Sequence, residues 1–328
     1  MNMRVALAGA ALGCSFFAAA GLVTRTQPVT GIGTLILSVA TPYLPALALV
    51  AAIFAHQARR TILATASVAT LVVALAIQLP WYYLGRPDNT GQHIEVRILS
   101  SNLRLGRADP ISLIRLARTH ADVITVSELT AEAIEGFRAA GIDTDFPESR
   151  LVAAPGAGGI GIWSRYPLTA LPDHKSDDVV ATAARLHVPG VSEDPVVVSM
   201  HVYSPVASGA NTVKRWAHGL LEARQRLYGI ADSVGSAAVI VGGDFNSTPD
   251  VRQFRDLLTN GYRDAVEQTG SGFSPTFPAD MPFPPLITID HVLTRNASAR
   301  SVRTFTVDGS DHRAILVGVA VPTLSAKA

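Results

Sequence analysis

Three long apolar runs open the chain, and a different rhythm follows them. Val5–Thr24, Thr26–Ala58 and Thr61–Gly85 contain no Asp, Glu, Lys or Arg. Each can supply the ~20 apolar residues that cross a bilayer, so three transmembrane helices are predicted. Pro42 and Pro45 predict a kink in the second. Trp81, Tyr82 and Tyr83 close the third, where aromatic rings settle at the membrane interface. Past Gly85 the apolar runs shorten to strand length and alternate with polar positions. Predicted strands are Glu95–Ser101, Val123–Ser127, Arg150–Ala153, Gly159–Ser164, Val179–His187, Val196–His201, Ala237–Gly242, Thr288–Thr294, Ala299–Val307 and Ala314–Val321. Helical spacing is read at Pro110–Thr119, Ala131–Ala140, Ala210–Asp232 and Val251–Asn260. Many strands with helices between them predict two packed sheets with helices outside. The division is a membrane domain over 1–84, a polar linker over 85–93, one large domain over 94–322, and a tail over 323–328.

Charge gives this layout a direction. The first 84 residues carry only Arg4, Arg25, Arg59 and Arg60, and no acid precedes Asp88. Arg59 and Arg60 fill the short second loop, which the positive-inside rule puts in the cytoplasm. Arg4 then also lies inside, Arg25 is the exception outside, and everything after the third run is extracytoplasmic. Reading Met1–Ala20 as a cleaved signal instead leaves the large domain on the same side. The one cysteine, Cys14, sits in the first run, so the large domain forms no internal disulfide. With the four N-terminal arginines set aside, 23 Lys and Arg face 26 Asp and Glu, a net −3. That balance gives no support for a protein tracking nucleic-acid phosphates, which usually presents a basic face. Lys214-Arg215 and Arg224-Gln225-Arg226 read as the solvated side of a helix.

Polar residues recur at the strand ends. Gly242-Gly243-Asp244-Phe245-Asn246-Ser247-Thr248-Pro249 follows a buried strand and sets a carboxylate and an amide two residues apart; alone, it could be an Asx-type turn. Asn102 ends the first strand, Glu128 follows the second, and Met200 runs into His201-Val202-Tyr203-Ser204-Pro205. Asp290 lies within Ile287-Thr288-Ile289-Asp290-His291-Val292-Leu293, and Ser310-Asp311-His312-Arg313 precedes the last apolar run. This ordered series resembles the endonuclease/exonuclease/phosphatase superfamily of DNase I-like nucleases, neutral sphingomyelinases and inositol-polyphosphate phosphatases, over Ile94–Pro322. The resemblance implies a four-layered α/β sandwich, two mixed sheets flanked by helices, with the site at one end of the sheets. The layout also resembles superfamily membrane proteins found in actinobacterial glycopeptide-resistance clusters.

The resemblance implies a metal-dependent phosphoric ester hydrolase. Glu128 is the main ligand expected for Mg²⁺, with Mn²⁺ as the alternative ion, and Asn102 and Asp311 complete or support its sphere. Asp244 orients or deprotonates the attacking water, and Asn246 donates to the phosphate. Asp290 orients His312, which takes a proton or, when charged, binds a phosphoryl oxygen. His201 is preferred to Tyr203 as the further phosphate contact. Arg165, in Ser164-Arg165-Tyr166-Pro167-Leu168, is carried as a substrate contact with a structural role as its alternative. His291 follows Asp290 and faces the opposite side of the strand. The proline-rich stretch from Ser274 to Pro285 either walls the substrate groove or is a rigid connector. A phosphoesterase tethered beside the bilayer suggests a membrane lipid or lipid-linked phosphate, such as a polyprenyl pyrophosphate or a phospholipid headgroup. An extracellular nuclease and a non-catalytic binding module are the alternatives; no protein partner is expected.

Overall fold

The structure, a computed structural model, describes residues 3–86, 91–176 and 178–323. Part of the expected linker (87–90) and most of the tail (324–328) lie outside these. Helix α1 (Met3–Thr26) and helix α4 (Thr61–Leu79, continued by a π turn over Pro80–Leu84) are long and apolar enough to cross a membrane. The second run is broken: α2 (Ile32–Val39) and α3 (Leu44–Gln57) meet at a 45° bend around a 3₁₀ turn, Thr41–Tyr43, and make a third span only if counted together. Pro42 in the turn and Pro45 in the first turn of α3 put the bend where the prolines predict it.

The large domain contains β1 (His93–Asn102), α5 (Pro110–His120), β2 (Val123–Ser127), α6 (Ala131–Ala139), α7 (Ile142–Asp145), β3 (Glu148–Val152), β4 (Ile160–Ser164), β5 (Leu168–Ala170), β6 (His174–Lys175), β7 (Val179–Leu186) and β8 (Val196–Val202). It continues through α8 (Thr212–Val234), β9 (Val239–Asp244), α9 (Arg252–Arg255), β10 (Arg263–Asp264), α10 (Ala265–Thr269), β11 (Asp290–Arg295), β12 (Ser298–Thr306) and β13 (Arg313–Pro322). One sheet runs β12-β13-β1-β2-β4-β3. The other runs β10-β11-β9-β8-β7-β5, with β6 also on β7. Each is antiparallel except at one central pair, β1 with β2 and β8 with β9. The halves therefore share a strand plan that the residue pattern does not display. Of the expected helices, Val251–Asn260 shrinks to the single turn α9, because past Arg255 the chain closes tighter turns, Leu257 N–H to the Phe254 carbonyl and Leu258 N–H to the Arg255 carbonyl. Strands β5, β6 and β10 have three, two and two residues, too few to show an alternation.

Period-two burial explains the layers. Val96, Ile98, Val197, Ile240, Val292 and Val317 point between the sheets, whereas Leu99, Ile124 and Leu316 point outward under α5 and α6. On the other side Val198, Val241 and Leu293 pack under Trp216, Leu220 and Leu227 of α8. Each such side chain stabilises the fold by roughly 1.5–3 kcal/mol of transfer free energy before entropy is charged. Val29 and Leu35, from the apolar N-terminal region, join that last cluster. Arg25 at the end of α1 pairs with the buried Asp250 at 2.8 Å, and Gln78 of α4 donates to the same carboxylate at 3.2 Å. Arg255 also donates to the Arg25 carbonyl, and Gln253 bonds both backbone groups of Val29. The large domain thus sits directly on one end of the helices.

A cleft of buried carboxylates and histidines

Both parallel pairs end at the same edge of the sandwich. Asn102 closes β1 and Glu128 follows β2; His201 and Asp244 are paired across β8 and β9. Asp290 opens β11 directly opposite Asp244, and His312 immediately precedes β13. They border a cleft of about 620 Å³ lined by Glu128, His201, Tyr203, Asp244, Asn246, Asp311 and His312 among others. Two tight backbone features make the edge. Gly243 lies so close to β8 that a Cβ would collide with the Met200 carbonyl. Glu128 and Asn246 both adopt left-handed φ, +60° and +48°, a conformation a non-glycine residue holds only when its surroundings fix it.

A network does fix it. The Asn102 amide donates to Glu128 Oε1 at 3.1 Å and to Asp244 Oδ2 at 2.9 Å, and Leu105 N–H donates to Glu128 Oε2 at 2.7 Å. Asn246 N–H donates to Asp244 Oδ1 at 2.7 Å, and its side chain donates to the Val202 carbonyl at 2.9 Å. His201 Nδ1 bonds the Ala157 carbonyl at 3.1 Å, so Nε2 faces Glu128 and Asp244, each at 3.8 Å. Tyr203 stands edge-on to His201, with centroids 5.5 Å apart. Asp311 lies at the rim, 3.6 Å from Arg104 Nε.

His312 Nδ1 is 2.9 Å from Asp290 Oδ2, which realises the expected pair. Its Nε2 stands 3.8 Å from Asp244 Oδ2, longer than a hydrogen bond. Burial opposes charge on this imidazole, but Asp290 and Asp244 outweigh it and carry its pKa up to about 10. Burial likewise pushes Asp244 up to about 6, although the charge on His312 pulls the other way. The two carboxylates thus favour the protonated form of His312, while burial favours the protonated form of Asp244.

Arg165 is a correction. Antiparallel pairing of β2 with β4 puts Ser127 opposite Ile160 and Val123 opposite Ser164, so Arg165 lies at the end away from Glu128. Its guanidinium bonds the Ala121 and Arg118 carbonyls and covers the Phe146 ring, which is the structural alternative. Three positioning residues escape sequence reasoning. Trp216 Nε1 donates to the Asn246 carbonyl at 3.0 Å. Ser310 Oγ donates to the Asn102 carbonyl and accepts from His312 N–H. Thr276 Oγ1 accepts from Asp290 N–H at 3.3 Å. The segments holding Ser310 and Thr276 stand out in the sequence, but nothing in it marks these hydroxyls.

The residues fit a divalent cation. Asp244, Asp290 and His312 gather ligand atoms within 4.8 Å of one another, and Asp290 Oδ1 is buried with no hydrogen-bond partner. Carboxylate and amide oxygens are the donor set of a hard ion. Glu128 Oε1 shares the Asn102 amide with Asp244 Oδ2 beside this group, so the Glu128 side of the cleft offers a further carboxylate to such an ion.

Comparison with known proteins agrees with this geometry. The model of the Endonuclease/Exonuclease/phosphatase family matches residues 99–312, more than half of the chain. No curated protein matches the sequence. The solved structures it resembles include a protein of unknown function from Enterococcus faecalis (14% identity, 69% of this chain and 100% of that chain, TM-score 0.55). They also include TDP2 of D. rerio complexed with a single-strand DNA product (17% identity, 69% and 98%, TM-score 0.54). A third is a mannosyl-6-phosphatase of Bacteroides thetaiotaomicron (11% identity, 68% and 99%, TM-score 0.52). At these identities the likeness is one of fold.

Proposed function

The chain belongs to the Endonuclease/Exonuclease/phosphatase family, whose members are metal-dependent phosphoesterases and nucleases, and from that premise we propose an outward-facing, membrane-anchored phosphoesterase that hydrolyses a lipid-linked phosphate or pyrophosphate. The observation that carries this reading is the junction of helices and domain. The end of the helices that bears Arg25 is the end the domain sits on, and Asp250 neutralises Arg25 there. The Arg59-Arg60 loop, which has no acidic partner among the described residues, lies at the opposite end, between α3 and α4. That removes the one exception to the positive-inside arrangement and supports an extracytoplasmic domain. It also supports a site held beside the headgroups, where lipid phosphates are concentrated.

The chemistry follows from the cleft. Glu128, oriented by Asn102, would hold Mg²⁺ with Asp311 at the rim; bound there, the ion offsets charge on the phosphoryl oxygens. Asp244 takes the proton of the attacking water. The charged His312, held by Asp290, binds a phosphoryl oxygen, and the Asn246 amide and His201 contribute further contacts.

The test is a paired assay on purified full-length protein in lipid nanodiscs, with polyprenyl pyrophosphate in one arm and plasmid DNA in the other. Mg²⁺-dependent phosphate release from the lipid, abolished by a chelator, is expected; nicking of DNA with no release from the lipid would reverse the assignment. A reporter fused after Arg86 should give alkaline phosphatase activity. A lit cytoplasmic fluorescent reporter there would contradict the orientation.

A further inference from the structure

We infer that the hydrocarbon chain of the substrate is held in an apolar groove that leads from the outer ends of α3 and α4 to His312. This rests on the lipid-phosphate reading and adds a binding site for the part of the substrate that does not react. A cavity of about 220 Å³ lies between Pro42, Tyr43, Leu79, Tyr83 and Phe273, where the spans meet the domain. It is open: Tyr43 is 43% exposed, Leu79 43% and Tyr83 56%. Its roof is Phe273, whose ring stacks edge-on against Tyr43 at 6.1 Å and Tyr82 at 5.4 Å.

From there the proline-rich segment continues to the cleft. Tyr43 Oη donates to the Leu286 carbonyl at 2.6 Å, and Leu286 N–H donates to the Phe277 carbonyl at 2.9 Å. The Phe277 ring lies 4.9 Å from the His312 ring and lines the cleft. Two links thus join the second span to a residue touching the catalytic imidazole. In the same segment Met281, Phe283 and Leu286 are about half exposed. Pro278, Pro282, Pro284 and Pro285 restrict the backbone that presents them, so little entropy is lost when a chain settles on it.

The occupant is fixed by what lies at the two ends. One end opens beside the apolar helices, and the other reaches the cleft at His312 and Asn246, the proposed phosphate contacts. A ligand with an apolar chain and a phosphate at its tip satisfies both. A nucleic acid or a sugar phosphate would leave the apolar stretch in water.

The experiment compares kcat/KM for a long-chain polyprenyl pyrophosphate with that for dimethylallyl pyrophosphate, using full-length protein in nanodiscs. Wild type should favour the long chain. Phe273→Ser and Tyr83→Ser should each lower that ratio by roughly tenfold, the effect of losing hydrocarbon contact over about two methylene groups. Tyr83 is more than half exposed, so its variant tests the groove without removing core packing. A diazirine-tailed polyprenyl monophosphate provides a readout without turnover, with crosslinks expected within 79–83 and 273–286. Equal ratios in wild type and both variants, or crosslinks confined to other faces of the helices, would overturn the groove and leave the phosphoesterase reading standing. Equally strong crosslinking by a diazirine-tailed phosphatidylcholine would make it a site for bulk lipid and also overturn it. Hydrolysis of a soluble phosphate ester with neither prenyl substrate cleaved would remove the lipid reading and the groove with it.

Discussion

Two Asp–His pairs sit back to back on one strand, with opposite consequences. Asp290 and His291 are neighbours on β11, so their side chains leave opposite faces. Asp290 holds His312 at 2.9 Å, and His312 turns its other nitrogen to the cleft. His291 is 2.7 Å from Asp264, and its other nitrogen bonds the Ser247 carbonyl at 3.0 Å. Phe254 and Phe245 enclose that ring. Both pairs are buried, so burial and pairing do not separate a reacting histidine from a structural one. What separates them is the second nitrogen, satisfied by the protein in one pair and left for a ligand in the other. His291 still serves the site indirectly, because Ser247 belongs to the loop that carries Asp244 and Asn246.

The comparison breaks most visibly in turnover. His312→Ala should lower the rate of the folded protein by about 10²–10³-fold, the usual cost of removing a preorganised donor to the charge that develops in the transition state. Initial rates of phosphate release, normalised to folded protein, check this. His291→Ala should do the reverse. It leaves the buried Asp264 Oδ2 without its partner, while Oδ1 keeps the Val266 and Glu267 N–H groups, at a cost of about 1–3 kcal/mol in stability. Thermal unfolding should register that loss, while turnover of the folded fraction stays far above that of His312→Ala.

The pH profile sharpens the contrast. With the proposed roles, activity requires Asp244 ionised and His312 charged, so it should rise through about pH 6 and fall near pH 10. Asp290→Asn removes the main support of the charge on His312 and should move the alkaline limb down. An unmoved limb would show that His312 is not the titrating group. The smallest effect concerns Asn246. Trp216→Phe removes one hydrogen bond to its carbonyl, about 0.5–1.5 kcal/mol, and should cost roughly tenfold or less, chiefly in KM.

Much of this site is legible in the sequence because most of it hangs on strand ends. An apolar run followed by Asn102, Glu128, His201 or Asp244 announces both the strand and the polar residue at its edge. The order of those blocks, rather than any one of them, carries the resemblance. Pairing direction is not visible in a single chain, and so Arg165, at the tip of a strand like the others, is read at the wrong end. Trp216, Ser310 and Thr276 act through bonds to backbone carried by other elements, and their types are ordinary for a core helix or a loop. The apolar N-terminal region shows the same limit. The apolar runs mark helices and the prolines mark a bend, but the break of the second span, and the pull of Val29 and Leu35 towards the large domain, are settled by tertiary contacts.

The claim at the centre of the comparison is that Asp290 and His312 act as one unit on the phosphate. A double-mutant cycle on phosphate release from the proposed lipid substrate tests it most directly. Asp290→Ala and His312→Ala should each lower turnover by orders of magnitude, and the double variant should be little slower than the slower single one. Losses that multiply, or a larger loss of turnover from His291→Ala than from His312→Ala, would contradict the account.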